Sequence, residues 1–440
     1  MNISPTLPST PTRNALRSRS SAALAAALGF GVLGSALTAL PIAGAVRPAL
    51  AAETTHATYM PLEPARILDT RTGVGRGGIA GPLPNGGSVE LTVTGSAGVP
   101  ATGVEAVALN VTATNGTALN SYLTVFPTGT IRPLASNLNF TMGKTVPNLV
   151  MARVGANGKV TIYNNSGTAD VIADIQGWYA SPANPVGSRF APLAPVRLLD
   201  TRFGVGVRQG PLHGGETVDL PVTGIAGIPA TGVSAVVLNV TATGATGPDT
   251  FVTVFPTGAA RPFASNLNVV PGQTVPNLVV ARVSNGKVSL YNNAGAVDLI
   301  ADVQGWFAAP SEPATGRSTY VPTAPVRALD TRDGTGTSGV AGPLGAGGLI
   351  HLQLSGTHGI PAGVTSVVLN VTAVDHVGPD SFLTLYPALT NRPLASNLNY
   401  TFGQTVANLV VARVNPNGTV AIYNNLGATH IVADVQGWFA

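Results

Sequence analysis

One eight-residue phrase occurs three times in the chain: PARILDTR (64–71), PVRLLDTR (195–202) and PVRALDTR (325–332). Each copy holds an arginine, an aspartate and a second arginine at fixed spacing, in a protein of which only 10% is charged. Side chains alternate along an extended segment, so Leu198, Asp200 and Arg202 should share one face and Arg197 and Leu199 the other. Asp200 and Arg202 then meet just before the glycine turn FGVG (203–206). Two kinds of chemistry are open to such a pair. Asp69, Asp200 and Asp330 can bond turn amides while Arg71, Arg202 and Arg332 pack over them, a clasp in which each buried charge keeps its partner. Alternatively, the same groups line a polar pocket for sugar hydroxyls or a carboxylate. The clasp is the expectation and the pocket the alternative.

Three further sets recur. Trp178, Trp306 and Trp438 close the phrases ADIQGWYA (173–180), ADVQGWFA (301–308) and ADVQGWFA (433–440), and Tyr163, Tyr291 and Tyr423 stand beside paired asparagines. An exposed ring of either kind stacks on a pyranose, whereas a tryptophan ending a buried strand belongs to the core. Asparagines such as Asn110, Asn137 and Asn148 suit sugar hydroxyls, and also fix turns and bulges. Asp174, Asp302 and Asp434 lie within apolar segments, where a lone carboxylate is costly, so each is expected to pair with an arginine. Four arginines recur per copy (66, 71, 132 and 153 in the first) against two carboxylates. That excess leaves room for a modest anion site.

Catalysis finds little support in the residues. None of the six histidines (56, 213, 351, 358, 376 and 430) recurs in all copies, and no G-x-S-x-G phrase is present. His351 stands where the other copies have Glu90 and Asp219, and His430 where they have Asp170 and Asp298, which suggests drift at exposed positions. The recurring carboxylates lie in arginine-rich phrases, which lowers a carboxyl pKa and spoils a general acid. The chain has no cysteine, so disulfides and thiolate metal sites are excluded. No acidic loop has calcium-binding spacing. The reading is a non-enzyme without cofactor or metal.

The N-terminus reads as an address. Arg13, Arg17 and Arg19 precede the apolar run 21–46, and ALAAETT (49–55) supplies a small-residue site, so 1–51 is expected to be a secretory signal peptide. Of the 23 basic residues, Arg13, Arg17, Arg19 and Arg47 precede the cut, which leaves 19 basic against 19 acidic residues. The net of +4 therefore belongs to the precursor. A mature chain of zero net charge offers no basic surface for nucleic acid. No second span follows, so no membrane association is expected after cleavage.

These phrases must be positioned by repeated elements. Asp69, Asp200 and Asp330 are spaced 131 and then 130 residues apart, and ALNVTAT (108–114), RPLASNLNF (132–140) and VPNLVMARV (146–154) recur with the same period. A period of this length is a whole domain. The expected boundaries are 58–180, 189–308 and 319–440, joined by the Pro/Ser/Gly-rich stretches SPANPVGS (181–188) and APSEPATGRS (309–318). Within copy one, SVELTVTG (88–95) alternates strictly, and 65–70, 104–114, 122–127, 136–140, 148–154, 159–164 and 170–180 read as further strands. Asn157–Gly158 and Asn285–Gly286 suit hairpin turns of the primed type. About eight strands per copy and almost no helix signal predict an all-β protein of three tandem antiparallel β-sandwich domains, jelly-roll-like, after the signal peptide.

Together, PVRLLDTR, ASNLN, VPNLVVARV, YNN and ADVQGW resemble a repeat common in secreted actinobacterial proteins, where it occurs in tandem or beside extracellular hydrolase modules. The resemblance covers all three copies. It implies an extracellular address and an accessory role, and names no ligand. The sequence therefore predicts a secreted, non-catalytic accessory protein that binds polysaccharide or a cell-envelope component, three weak sites gaining avidity from their number. The alternatives are a structural or adhesive surface protein without a small ligand, and more distantly an extracellular hydrolase.

Overall fold

The computed structural model describes residues 56–183 and 186–440, and the signal peptide expected over 1–51 lies outside them. Within the first repeat the strands are β1 (Thr58–Asp69), β2 (Ser88–Thr92), β3 (Val104–Thr114), β4 (Ser121–Pro127), β5 (Leu138–Phe140), β6 (Val146–Arg153), β7 (Lys159–Asn164) and β8 (Asp170–Ala180). No α-helix occurs among the described residues. The strands form two antiparallel four-stranded sheets, ordered β1-β8-β3-β6 and β2-β7-β4-β5. The other repeats copy this order, and in the second a two-residue strand, Leu212–His213, joins the first sheet. The protein is thus nearly all β, six antiparallel sheets set in a ring.

Local sequence explains the strands. In β2, Val89 and Leu91 turn into the core while Ser88, Glu90 and Thr92 face solvent, as the alternation requires. β8 is buried along its whole length because it is central in its sheet, with β1 on one side and β3 on the other. Asn285 and Gly286 both have positive φ (51° and 71°), and Ser284 and Lys287 exchange backbone hydrogen bonds of 3.1 and 2.9 Å around them. That is the two-residue primed hairpin. In each repeat one apolar cluster takes side chains from both sheets, with Trp178, Trp306 or Trp438 inside it.

A fourth cluster belongs to no single repeat. It gathers Tyr59, Tyr179, Phe190, Phe307, Tyr320 and Phe439. The tightest ring contacts cross between repeats: Tyr59–Phe307 at 4.5 Å, Phe190–Phe439 at 4.3 Å and Tyr320–Tyr179 at 4.5 Å. Pairs within a repeat lie at 4.9 to 5.2 Å. Each such pair is worth about 0.5–1.5 kcal/mol beyond its buried area. Beside this belt the starts of the three repeats pair by backbone hydrogen bonds in a cycle, Tyr59 with Ser188, Phe190 with Ser318 and Tyr320 with Ala57. The expected picture of sites strung on short linkers therefore gives way to one compact unit with a common centre.

The phrase ADVQGWFA (301–308) shows how sequence builds this arrangement. Asp302 pairs with Arg197 of its own repeat at 2.6 Å. The Gln304 side-chain oxygen accepts from the Val411 amide of the next repeat at 3.1 Å. A Cβ on Gly305 would lie 2.3 Å from the Phe190 ring, so only glycine admits that ring. Trp306 fills the repeat core and Phe307 joins the central belt.

Candidate functional site

The Asp–Arg phrase ends the first strand of each repeat, where it pairs with the β8-type strand. A bulge interrupts that pairing: Arg66 faces Asp174 and Leu68 faces Ala173, so Ile67 is an extra residue. The bulge overturns the simple alternation expected for the phrase. Arg197 and Asp200 come to the same side and bond at 2.8 Å, while Leu198 and Leu199 are both buried. Arg202 adds two bonds to Asp200, at 2.8 and 2.7 Å. Arg197 also grips Asp302 through both carboxylate oxygens, at 2.6 and 3.2 Å. The first and third repeats reproduce the pairs Arg71–Asp69 and Arg332–Asp330, each at 2.6 Å.

Electrostatics follow from these contacts. Hydrogen bonds from Arg71 and Arg332 hold Asp69 and Asp330 below the usual carboxylate range. Burial pushes Asp200 up, but the bonds and charges of Arg202 and Arg197 outweigh it and the net shift is down. Asp174, Asp302 and Asp434 each have their arginine, yet burial outweighs it and pushes them up, against the lowering expected from their arginine-rich phrases. The threonine of the phrase completes the clasp: Thr70 donates to Asp170 at 2.8 Å and Thr201 to Asp298 at 2.7 Å. In the third repeat Thr331 meets His430 Nδ1 at 3.1 Å instead. His430 is therefore not drift at an exposed position. It is half-buried and takes over a hydrogen bond.

The clasp also forms one wall of a cleft. Between the second and third repeats lies an open cleft of about 600 Å³. The second repeat contributes Arg197, Asp200, Arg202, Phe203, Thr241 and Ile300, and the third contributes Phe382, Arg392, Leu394, Ser396 and Asn399. Seam contacts fix the two walls. Arg197 donates to the Leu394 carbonyl oxygen at 2.9 Å, and the Asn239 side chain to that of Ser396 at 2.7 Å. The other seams are built alike, with Asn110 donating to Ser265 at 2.7 Å and Asn370 to Ser136 at 2.6 Å. Arg66 lies over the Phe263 ring at 5.3 Å, and Arg327 donates to the Leu134 carbonyl oxygen at 3.0 Å.

Of the residues singled out from sequence, Asp200 and Arg202 line this cleft, and Asp69 with Arg71 and Asp330 with Arg332 occupy equivalent places at the other seams. Tyr163, Tyr291 and Tyr423 are half-buried beneath Arg132, Arg261 and Arg392, whose guanidinium carbons lie 4.0, 4.2 and 4.1 Å from the ring centroids. Through Arg392, Tyr423 supports the cleft edge. Trp178, Trp306 and Trp438 are removed from it; each is about 5–6% exposed, inside its repeat core. Sequence reasoning missed Phe203, Phe382 and Thr241, and counted Arg392 only among the recurring arginines whose excess leaves room for an anion site. The available signal was RPLASNLNY (392–400) itself, whose recurring arginine has no recurring acid beside it.

Thr241 has a further property. Its hydroxyl is buried and without a hydrogen-bond partner, as are those of the equivalent Thr112 and Thr372. Among the described residues no group of three or more His, Cys, Asp or Glu side chains gathers to hold a metal ion. No helix among them is long and apolar enough to cross a membrane.

No protein-family model matches the chain, and no curated protein matches it. Among solved structures it is similar, at 13% identity and a TM-score of 0.16, to the N-terminal CBM22-1–CBM22-2 tandem domain of Xyn10C from Paenibacillus barcinonensis, over 56% of this chain and 99% of that one. It is also similar, at 7% identity and a TM-score of 0.17, to the triple jelly roll structure of an archaeal virus, over 88% of this chain and 91% of that one. Likenesses this distant carry no argument about function.

Proposed function

We propose that this is a secreted, non-catalytic accessory protein that binds polysaccharide or a cell-envelope glycan at the clefts between its repeats. One observation carries the reading: a single cleft sets apolar rings (Phe203, Phe382), guanidinium groups and threonine and asparagine side chains side by side. A sugar ring needs that combination, an apolar face to lie on and fixed polar groups at its edge. Against catalysis, Asp200 is committed to two arginines that keep it ionised, whereas a general acid must carry a proton near neutral pH. Each repeat is read as a jelly-roll-like β-sandwich, a reading supported by its strand order and its single core between two sheets. The phrases shared with secreted actinobacterial repeats agree with the extracellular address.

Co-sedimentation of the intact three-repeat protein with purified cell walls and insoluble polysaccharides tests this. Retention that falls when Phe203 and Phe382 are changed to alanine is expected. No retention on any of these polymers would overturn the reading.

A second reading has its own observation. Leu134, Phe263 and Leu394, on the loop between the β4-type and β5-type strands, are 91, 84 and 89% exposed. Three apolar side chains presented alike suit an adhesive surface protein without a small ligand. Self-association abolished by Leu394→Ser, without glycan retention, would favour it.

A further inference from the structure

Three guanidinium groups line the cleft between the second and third repeats, and they are not equivalent. Arg197 and Arg202 are neutralised by Asp200 and Asp302. Among the described residues no carboxylate lies within ion-pair distance of Arg392. Its guanidinium is stacked over Tyr423 at 4.1 Å, which holds its plane and leaves its edge N–H donors unused. The cleft thus sets one cation with free donors beside the exposed ring of Phe203.

We infer that the cleft takes an anionic sugar, a polysaccharide whose units carry a carboxylate or phosphate, with that group on Arg392 and the sugar ring against Phe203 and Phe382. The inference rests on the polysaccharide-binding reading above and adds the charge to it. A planar guanidinium meets a carboxylate or phosphate through two parallel hydrogen bonds, the strong charge-assisted kind. A neutral polymer gives Arg392 only single bonds to hydroxyls.

The same stacked arginine recurs at the other seams, in other surroundings. Thr72 stands in the first repeat where Phe203 stands in the second, and Asp333 in the third. Asp333 is exposed, and it sets a carboxylate beside the clasp at a position where neither other repeat has one. The seam facing Arg132 is therefore the weakest of the three for an anion, and the cleft at Arg392 the strongest.

Affinity electrophoresis of the intact protein tests this with polygalacturonate, its fully methyl-esterified form, phosphomannan, and duplex DNA as a polyanion of another backbone. Retention by polygalacturonate or phosphomannan, with the ester about tenfold weaker, is the expected result, and the better of the two charged polymers identifies the anionic group. Arg392→Gln should cost about tenfold in retention with the unfolding midpoint unchanged, Arg392→Lys less, and Arg132→Gln less again. Equal retention by polygalacturonate and its ester, unaffected by Arg392→Gln, would overturn the charge inference and leave polysaccharide binding standing. No retention by any sugar polymer would overturn both. Retention by DNA as strong as by the charged sugars would overturn the inference in favour of unselective charge.

Discussion

Arg327 of the third repeat donates from Nη2 to the carbonyl oxygen of Leu134 in the first, at 3.0 Å across 193 residues of sequence. This contact closes a circle that the chain itself leaves open. Arg197 makes the equivalent bond to Leu394 at 2.9 Å, and the aromatic belt runs through all three repeats. The bonds that unite the repeats resemble in kind those that hold each one together. Thermal unfolding should therefore be a single cooperative transition. Differential scanning calorimetry decides it: two or three resolved transitions would show that the repeats are energetically independent.

Asn148 concentrates the seam in one side chain. Its oxygen accepts from the Leu409 amide at 3.1 Å, and its nitrogen donates to Asn370 at 2.9 Å and to the Asn137 carbonyl oxygen. The group is 1% exposed. Each buried partner left unpaired costs about 1–3 kcal/mol, so Asn148→Ala should lose about 3 kcal/mol or more in urea unfolding. Asn139 in β5, half-buried and with its side chain bonded only to nearby Ser136, serves as the control. Its alanine variant should stay within about 0.5 kcal/mol of the parent. Similar losses for both would remove the special role of the seam.

Acid should loosen the clasp. Asp69, Asp200 and Asp330 have folded pKa values below the unfolded value of about 3.9. Their stabilising contribution is present above that value and is lost as pH falls through the folded pKa, because the unfolded chain takes up protons first. Asp174, Asp302 and Asp434 act in the opposite sense. Burial pushes them up against the pull of their arginines, so their contribution is full below the unfolded value and fades as pH rises through the folded one. Acid lability then belongs to the first trio. Urea midpoints measured from pH 6 to pH 3 should fall for the parent and fall less for Asp69→Asn, which starts from lower stability. Identical slopes would assign the acid sensitivity elsewhere.

How much of this was legible follows from the range over which each signal acts. Alternation in SVELT, the Asn285–Gly286 turn and the apolar run of β8 are local, and their strands lie where the pattern puts them. The pairing of Asp174 was legible because a carboxylate in an apolar strand has few alternatives. The sharing of a face by Arg197 and Asp200 was not, since a one-residue bulge reverses the alternation and leaves no mark in PVRLLDTR. The cleft was hidden for a different reason. The bonds that join its walls span 157 and 197 residues of sequence, and Asn148, Gln304 and Ser396 read as turn or strand residues until their partners in another repeat are known. One clue lay in plain view: Tyr59, Phe190 and Tyr320 recur at the repeat spacing, each well ahead of its Asp–Arg phrase.

Thr241 offers a test that separates fold from function. Its buried hydroxyl has no partner, so the isosteric Thr241→Val removes a desolvated polar group without leaving a void. That change should stabilise the protein by about 1 kcal/mol. Thr241 stands in the cleft wall, but its hydroxyl is sealed from solvent and so from any ligand there. Thr241→Val should therefore unfold at higher urea concentration and be retained by polysaccharide as the parent is. A gain in stability with weaker retention would show that the hydroxyl reaches the ligand. A loss of stability would mean that it bonds within the folded protein.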